Sequence, residues 1–423
     1  MKFNKITVSL IAAGMMASPL AHATNGYLPI GYGQKNEAMG GAGIALPLDS
    51  IAAANNPAGM VMVGNRIDFG LTWFRPNRDA EITGNGFGLD GSYDGNGKSD
   101  FFIPSFGYNK MISEKTSLGV SVFGNGGMNT QYDTNPLTAF GASGPMGINL
   151  EQLFVAPTWA MKLNDANSVG VALNLAYQRF SATGLQPFAC PTFFPCQPGP
   201  IPSTDPANVT NNGTDTSTGW GVRLGWTGQV TPTVTLGVTY QSKTNMSKFD
   251  KYKGLFAEQG DFDIPENYGV GIAFKAAPET TLAFDIQRTS YAGVRSVGNP
   301  LVVPTNLGAD NGAGFGWESI NAYKFGISHA YDSKFTVRAG YNHCDQPIPN
   351  SQTFFNVLAP GVVQDHLSLG GTWTLADKSE ISVAYIHAFS KTVNGSGSIP
   401  APYGGGEANI TMHEDSLGIS YGW

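Results

Sequence analysis

The chain has 423 residues, enough for two or three ordinary soluble domains, yet only 13% of them are charged, against about 25% in a typical globular chain. It carries 55 glycines together with 7 Trp, 16 Tyr and 25 Phe. So many aromatics exclude a disordered polymer, so many glycines disfavour a helical bundle, and a formal net charge of −7 offers no basic footprint for nucleic acid.

The first 23 residues read as an address. Lys2 and Lys5 form a positive start, Ile6 to Met16 is a short apolar run, and Ala21-His22-Ala23 puts small residues at −3 and −1 of a cleavage site. The run is shorter than the roughly 18 residues a membrane-spanning helix needs. The mature chain is expected to begin at Thr24, and losing Lys2 and Lys5 takes the formal charge from −7 to −9. Beyond residue 23 no stretch of 18 consecutive apolar residues occurs, which excludes a helical membrane protein and leaves a secreted β protein or an outer-membrane barrel.

Residues 24–64 break any period-2 pattern and are rich in Gly and Ala. Asn56 before Pro57 reads as a helix N-cap with proline at the first helical position, and Gly59 keeps that helix short. Ile44, Leu46, Leu48 and Ile51 need cover, so this segment is expected to fold inside something as a plug.

From residue 65 the chain alternates, with Ile67, Phe69, Leu71 and Trp73 on one face and Asp68, Gly70 and Thr72 on the other. The same pattern recurs in fourteen segments: 65–76, 100–110, 116–124, 150–163, 168–181, 217–230, 233–247, 263–275, 280–290, 317–330, 334–344, 363–375, 379–390 and 408–423. Tight and long connections alternate strictly between them. This predicts an all-β fold: a 14-stranded antiparallel transmembrane β-barrel with short periplasmic turns, long extracellular loops and the N-terminal plug in its lumen. Its domains are a signal peptide at 1–23, the plug at 24–64 and the barrel at 65–423. Trp73, Trp220 and Trp317 are expected near the outer strand ends, and Trp159, Trp226, Trp373 and Trp423 near the periplasmic ends, as two interfacial belts. The final Leu417, Ile419, Tyr421, Trp423 resembles the ending read by the outer-membrane assembly machinery.

Gly40-Gly41-Ala42-Gly43 and Asn56-Pro57-Ala58 resemble the N-terminal hatch of the FadL/TodX family, outer-membrane transporters of long-chain fatty acids and aromatic hydrocarbons. The resemblance implies passive transport across the bacterial outer membrane. Loops capture a hydrophobic ligand, an internal pocket holds it, the hatch moves, and the ligand leaves sideways through the barrel wall. It implies no cofactor, no enzyme activity and no ATP. The partners are the fatty acid or hydrocarbon, outer-membrane lipid and lipopolysaccharide, and the assembly machinery, and a plugged single barrel is expected to be a monomer.

Alternation assigns Phe74, Phe154, Arg223, Lys324 and Arg338 to the inner face. The two phenylalanines are candidates for ligand contact or for packing against the hatch. The three cations are candidates for a carboxylate ligand or for internal ion pairs with Asp68, Asp285 or Glu380. Phe188, Phe193 and Phe194 of the third long loop, with Phe354 and Phe355 of the sixth, are read as a loop cap or a first landing site. Cys190 and Cys196 lie close together in an oxidising compartment and are expected to form a disulfide, with Cys344 left over. His343-Cys344-Asp345 is not read as a metal site, since adjacent residues seldom ligate one ion. No histidine sits in a nucleophile motif. The competing functions are a general diffusion porin, and an adhesin or phage receptor.

Overall fold

The computed structural model describes residues 24–189, 201–302 and 305–423. Fourteen strands close into one antiparallel barrel: β1 (Arg66–Thr83), β2 (Phe101–Met111), β3 (Thr116–Tyr132), β4 (Met146–Lys162), β5 (Asn167–Thr183), β6 (Asp215–Thr231), β7 (Val234–Gln241), β8 (Asn267–Ala277), β9 (Thr280–Thr289), β10 (Ile320–Ala330), β11 (Phe335–Cys344), β12 (Asp365–Thr374), β13 (Glu380–Val393) and β14 (Glu407–Gly422). Closure is made by β14 on β1, in register from Gly422 opposite Asp68 to Glu407 opposite Thr83. Beyond it, Ile67 and Trp423 exchange backbone hydrogen bonds of 2.9 and 3.0 Å. Closure removes the sheet edges, which a bilayer could not satisfy.

The alternation read from the sequence is the alternation of environment. Along β5 the outward Val171, Leu173 and Leu175 are exposed, and the inward Ala172, Asn174 and Ala176 are buried. Exposed Leu71, Trp159, Val270, Phe325, Leu369 and Ile419 continue the same apolar band around the wall, the surface a lipid core covers.

Most strand ends agree with the expected ones. β1 and β3 run further, and β7, expected to reach residue 247, ends at Gln241, with Asn245–Met246 pairing back on β6 after a break. β1 continues from Asn77 to Thr83 because β14 stays paired with it and a short strand, Gly91–Asp94, pairs with its outer end. β3 continues through Gly124-Asn125-Gly126-Gly127, a glycine run that reads as a loop, by means of a bulge against β4 at Gly124/Gly126. Trp317 departs from its expected place in the outer belt. It lies before β10, is buried, packs on Tyr27 and edge-to-face on Tyr291, and donates to Asn356 Oδ1 at 2.6 Å.

Residues 24–64 run through the lumen and are almost wholly buried. Thr24–Asn25 pairs with Leu28–Pro29, a single helical turn spans Gln34–Glu37, and short helical turns follow at Ala52–Ala54, Pro57–Gly59 and Met60–Val63. The wall meets this segment with glycine. A Cβ on Gly340 of β11 would stand 2.0 Å from the Gly40 nitrogen, so only a bare backbone fits there.

Candidate functional site

The segment is held by its own capping chemistry. Asn56 is extended and its Oδ1 accepts from the Ala58 N–H at 3.1 Å, with Pro57 at the first helical position, as the sequence predicts. The same side chain donates to the Ile44 carbonyl at 2.8 Å and to the Trp226 carbonyl on β6 at 3.0 Å. Two wall glycines opposite one another on β5 and β6 make room for it. A Cβ on Gly225 would lie 1.9 Å from Asn56 Oδ1, and one on Gly170 would lie 2.4 Å from the Pro57 carbonyl carbon. Ser168 closes the seat by donating to the Ala58 carbonyl at 3.0 Å.

A charged cluster fixes the base. Lys35 reaches Glu380 at 2.6 Å, Arg66 reaches the same carboxylate at 2.5 Å, and Arg66 also holds Asp68 at 2.8 Å. Asp68 in turn accepts from the Ser50 N–H and hydroxyl at 2.9 and 2.6 Å. Within the segment, burial first and then the nearby Asp49 charge push the Glu37 carboxyl up to about 8. Burial and the Asp68 charge likewise raise Asp49.

All five inner-face candidates are buried. Phe74 packs on Phe101, ring centroids 6.3 Å apart, in a small cavity whose wall also includes Tyr27, Met128, Trp317 and Met412. Phe154 stacks edge-on against Phe123, which meets Tyr32 of the N-terminal segment, so it packs against that segment and stands apart from this cavity. Arg223 and Lys324 come together, lining a small polar space with Asn55, Asn267 and Gln287. Both hold the segment: Lys324 donates to the Ile30 carbonyl at 2.7 Å and Arg223 to the Asn55 carbonyl at 3.3 Å. Lys324 also donates to Gln287, and Arg223 to Gln241. Arg338 donates to Thr372 at 2.6 Å and lines neither space.

The ion pairs expected for these three cations do not form among the described residues. Asp68 and Glu380 are taken by Arg66 and Lys35, and Asp285 accepts the Gly43 and Ile44 N–H groups at 2.7 and 2.9 Å. The physical reason is competition: Lys35 of the segment and Arg66 at the start of β1 claim Asp68 and Glu380, and the segment's unpaired backbone donors claim Asp285. Sequence reading missed Tyr27, Phe101 and Trp317 in the cavity and Lys35 and Arg66 at the base. For Phe101 the inward phase of its strand was the available signal.

Above the lumen, the extracellular connections form an apolar cap. Phe188 packs on Phe355 at 5.5 Å and Phe354 on Tyr403 at 5.4 Å. Phe188, Phe354 and Phe355 line a cleft with Leu137, Leu185 and Leu358, and a neighbouring cleft shares Phe355 and Leu358. Phe193, Phe194, Cys190 and Cys196 lie outside the described residues. Cys344 is buried, and the adjacent His343 faces outward onto Asp365 at 2.7 Å.

The wall is interrupted beside the Phe74 cavity. β2 and β3 pair only from Phe106 opposite Val122 to Met111 opposite Ser117. Phe101 to Ser105 have no partner on β3, although they pair with β1. Pro104 sits in this stretch and has no N–H to donate. The gap is closed above by hydrogen bonds of 3.0 Å linking Gln131 to Gly95 and Gly97. From inside, the Tyr27 carbonyl accepts from Gly127 N–H at 3.2 Å, and Phe101, Gly127 and Met128 line both the gap and the cavity.

A family model described as outer membrane protein transport protein (OMPP1/FadL/TodX) matches residues 31–413. Among solved structures, a Pseudomonas aeruginosa FadL homologue superposes with a TM-score of 0.70 at 17% identity, over 94% of this chain and 99% of that one. The P. putida toluene transporter TodX gives 0.65 at 17%, over 93% and 98%. The Ralstonia pickettii toluene transporter TbuX gives 0.65 at 19%, over 93% and 98%. Comparison with curated proteins gives no match.

Proposed function

Because this chain belongs to the outer membrane protein transport family (OMPP1/FadL/TodX), whose fold is that of transport channels for hydrophobic compounds in the outer membrane, we propose that it carries one such compound from the loop cap to the bilayer through its wall. The ligand enters the apolar clefts around Phe188, Phe354 and Phe355. It passes down to the cavity of Tyr27, Phe74, Phe101 and Trp317. It leaves between β2 and β3 into the outer leaflet. Residues 24–64 act as the hatch, and withdrawal of Tyr27 from Gly127 widens the gap.

The observation that carries this reading is the contact of that cavity with the unpaired stretch of wall. Its energetic sense is simple. A lateral exit keeps each methylene out of water, and each exposure would cost about 0.8 kcal/mol. A hatch seated by Asn56 and the Lys35–Glu380–Arg66 cluster leaves no wide aqueous path, which argues against a diffusion porin.

The ligand we favour is an uncharged hydrocarbon or acyl chain. Arg223 and Lys324 are engaged by hatch carbonyls, so they hold the hatch first. The test is mass spectrometry of molecules retained by detergent-purified protein, with binding of oleate and toluene. Preference for toluene makes the cations structural. Preference for oleate, weakened by Lys324→Met, gives them a carboxylate. Binding of neither overturns the transport reading.

A further inference from the structure

Glu414 on β14 faces the lumen and is fully buried. Both of its oxygens are taken by the first residue of the hatch. The Thr24 nitrogen donates to Oε2 at 2.9 Å and the Thr24 hydroxyl to Oε1 at 2.8 Å. Among the described residues no lysine or arginine reaches this carboxylate within ion-pair distance; only the His366 ring approaches, at 4.0 Å. The nearby Arg78 spends its guanidinium elsewhere, on the Asn129 carbonyl at 2.6 Å and on the Lys98 carbonyl. A buried carboxylate facing an ordinary amide is poorly compensated, and one facing an ammonium group is paired.

The residue before Thr24 is Ala23, the last small residue of the cleavage signature. We infer that signal-peptide removal creates the partner Glu414 lacks, so that the mature α-ammonium of Thr24 is captured by Glu414 inside the barrel. Water cleaves the Ala23–Thr24 amide. Its oxygen goes to Ala23, which leaves as a carboxylate, and its two hydrogens go to the Thr24 nitrogen, which becomes –NH₃⁺. A single neutral donor thereby becomes a cation with three.

The capture has two consequences. It ties the beginning of the hatch to the last strand, 390 residues away, so the seat is complete only after both processing and barrel closure. It also gives a polar, charged end to the cavity of Phe74 and Trp317, since Thr24, Arg78 and Glu414 line that same space. The inference depends on cleavage at Ala23 and is independent of which molecule the barrel carries.

The test is the reactivity of the terminal amine in protein purified from outer membranes. Intact-mass analysis first identifies the mature terminus. The α-amine is then labelled with a limiting amine reagent at neutral pH, folded in detergent and after heat denaturation. The expected result is a mature chain starting at Thr24 whose amine labels at least about tenfold more slowly when folded, with protection lost in Glu414→Gln. Should Glu414→Gln fail the heat-shift test of folding on a gel, a cytoplasmically expressed form with Met-Gln added before Thr24, its added Met confirmed by intact mass, is refolded instead. Its amine, moved two residues beyond the carboxylate, should label as fast as in the denatured chain. A different mature terminus overturns the inference. So does equal labelling of folded and denatured parent, protection that survives Glu414→Gln, or protection that survives the added Met-Gln.

Discussion

Asn56→Ala isolates the hatch seat from the rest of the molecule. The substitution removes three hydrogen bonds, to the Ala58 N–H and to the Ile44 and Trp226 carbonyls. At roughly 0.5–1.5 kcal/mol each, plus the desolvation cost of buried carbonyls left with fewer donors, the loss is about 3–5 kcal/mol. Each factor of ten takes about 1.4 kcal/mol, so the seated-to-displaced ratio of the hatch falls roughly a hundredfold to a few thousandfold. The barrel is spared, because its ladders do not use this side chain; only the Trp226 carbonyl loses a donor. The assay is single-channel recording in planar bilayers, with heat-shifted mobility on a gel as the control for folding. Opening events should become more frequent by that factor. Gly225→Ala should copy the effect from the other side, by driving a Cβ into Asn56 Oδ1. A folded Asn56→Ala barrel that opens within about twofold of the parent frequency would refute the assignment of Asn56 as the anchor.

Other outcomes follow from the same geometry. Deleting Asn125, the extra residue of the β3 bulge, should let β3 pair higher along β2. Cells would then lose uptake of hydrophobic compounds while purified protein still binds them; unchanged uptake would move the exit elsewhere. Phe101→Ala should weaken ligand binding by about 3 kcal/mol or less, the scale of a buried phenyl group, without altering ion leakage, as read by isothermal titration. The hatch should also respond to pH. Burial raises the Glu37 and Asp49 carboxyls above their unfolded values, so the stability they contribute is full below about pH 4 and is lost as pH rises, for Glu37 through about 8. Channel openings should therefore grow more frequent from pH 5 to pH 8.5, and the paired Glu37→Gln and Asp49→Asn changes should flatten that curve.

The barrel was legible because each strand separates two media, and a period of two is all that separation requires. The Asn56-Pro57 cap was legible for a different reason: its first partner, Ala58, is two residues away. What escaped depends on distant partners. Trp317 has the composition of a belt residue, and only Tyr27, Tyr291 and Asn356 make it a core one. The inward phase of Lys324 was readable, but its acceptor is the Ile30 carbonyl, and a backbone oxygen leaves no mark in a sequence. Gly124 to Gly127 read as a loop because glycine is rare in strands; here it lets the Tyr27 carbonyl approach the wall.

The glycines that face the lumen bear on how the protein is assembled. At Gly170, Gly225 and Gly340 the wall has no side chain of its own, and hatch atoms occupy the space one would fill. A barrel closed around an absent hatch would hold water against bare backbone at these points. The hatch thus works as a mandrel on which the wall is wound. Threading it in after β14 has zipped onto β1 would be slow, so the productive order has residues 24–64 inside the curling sheet before the last strand arrives.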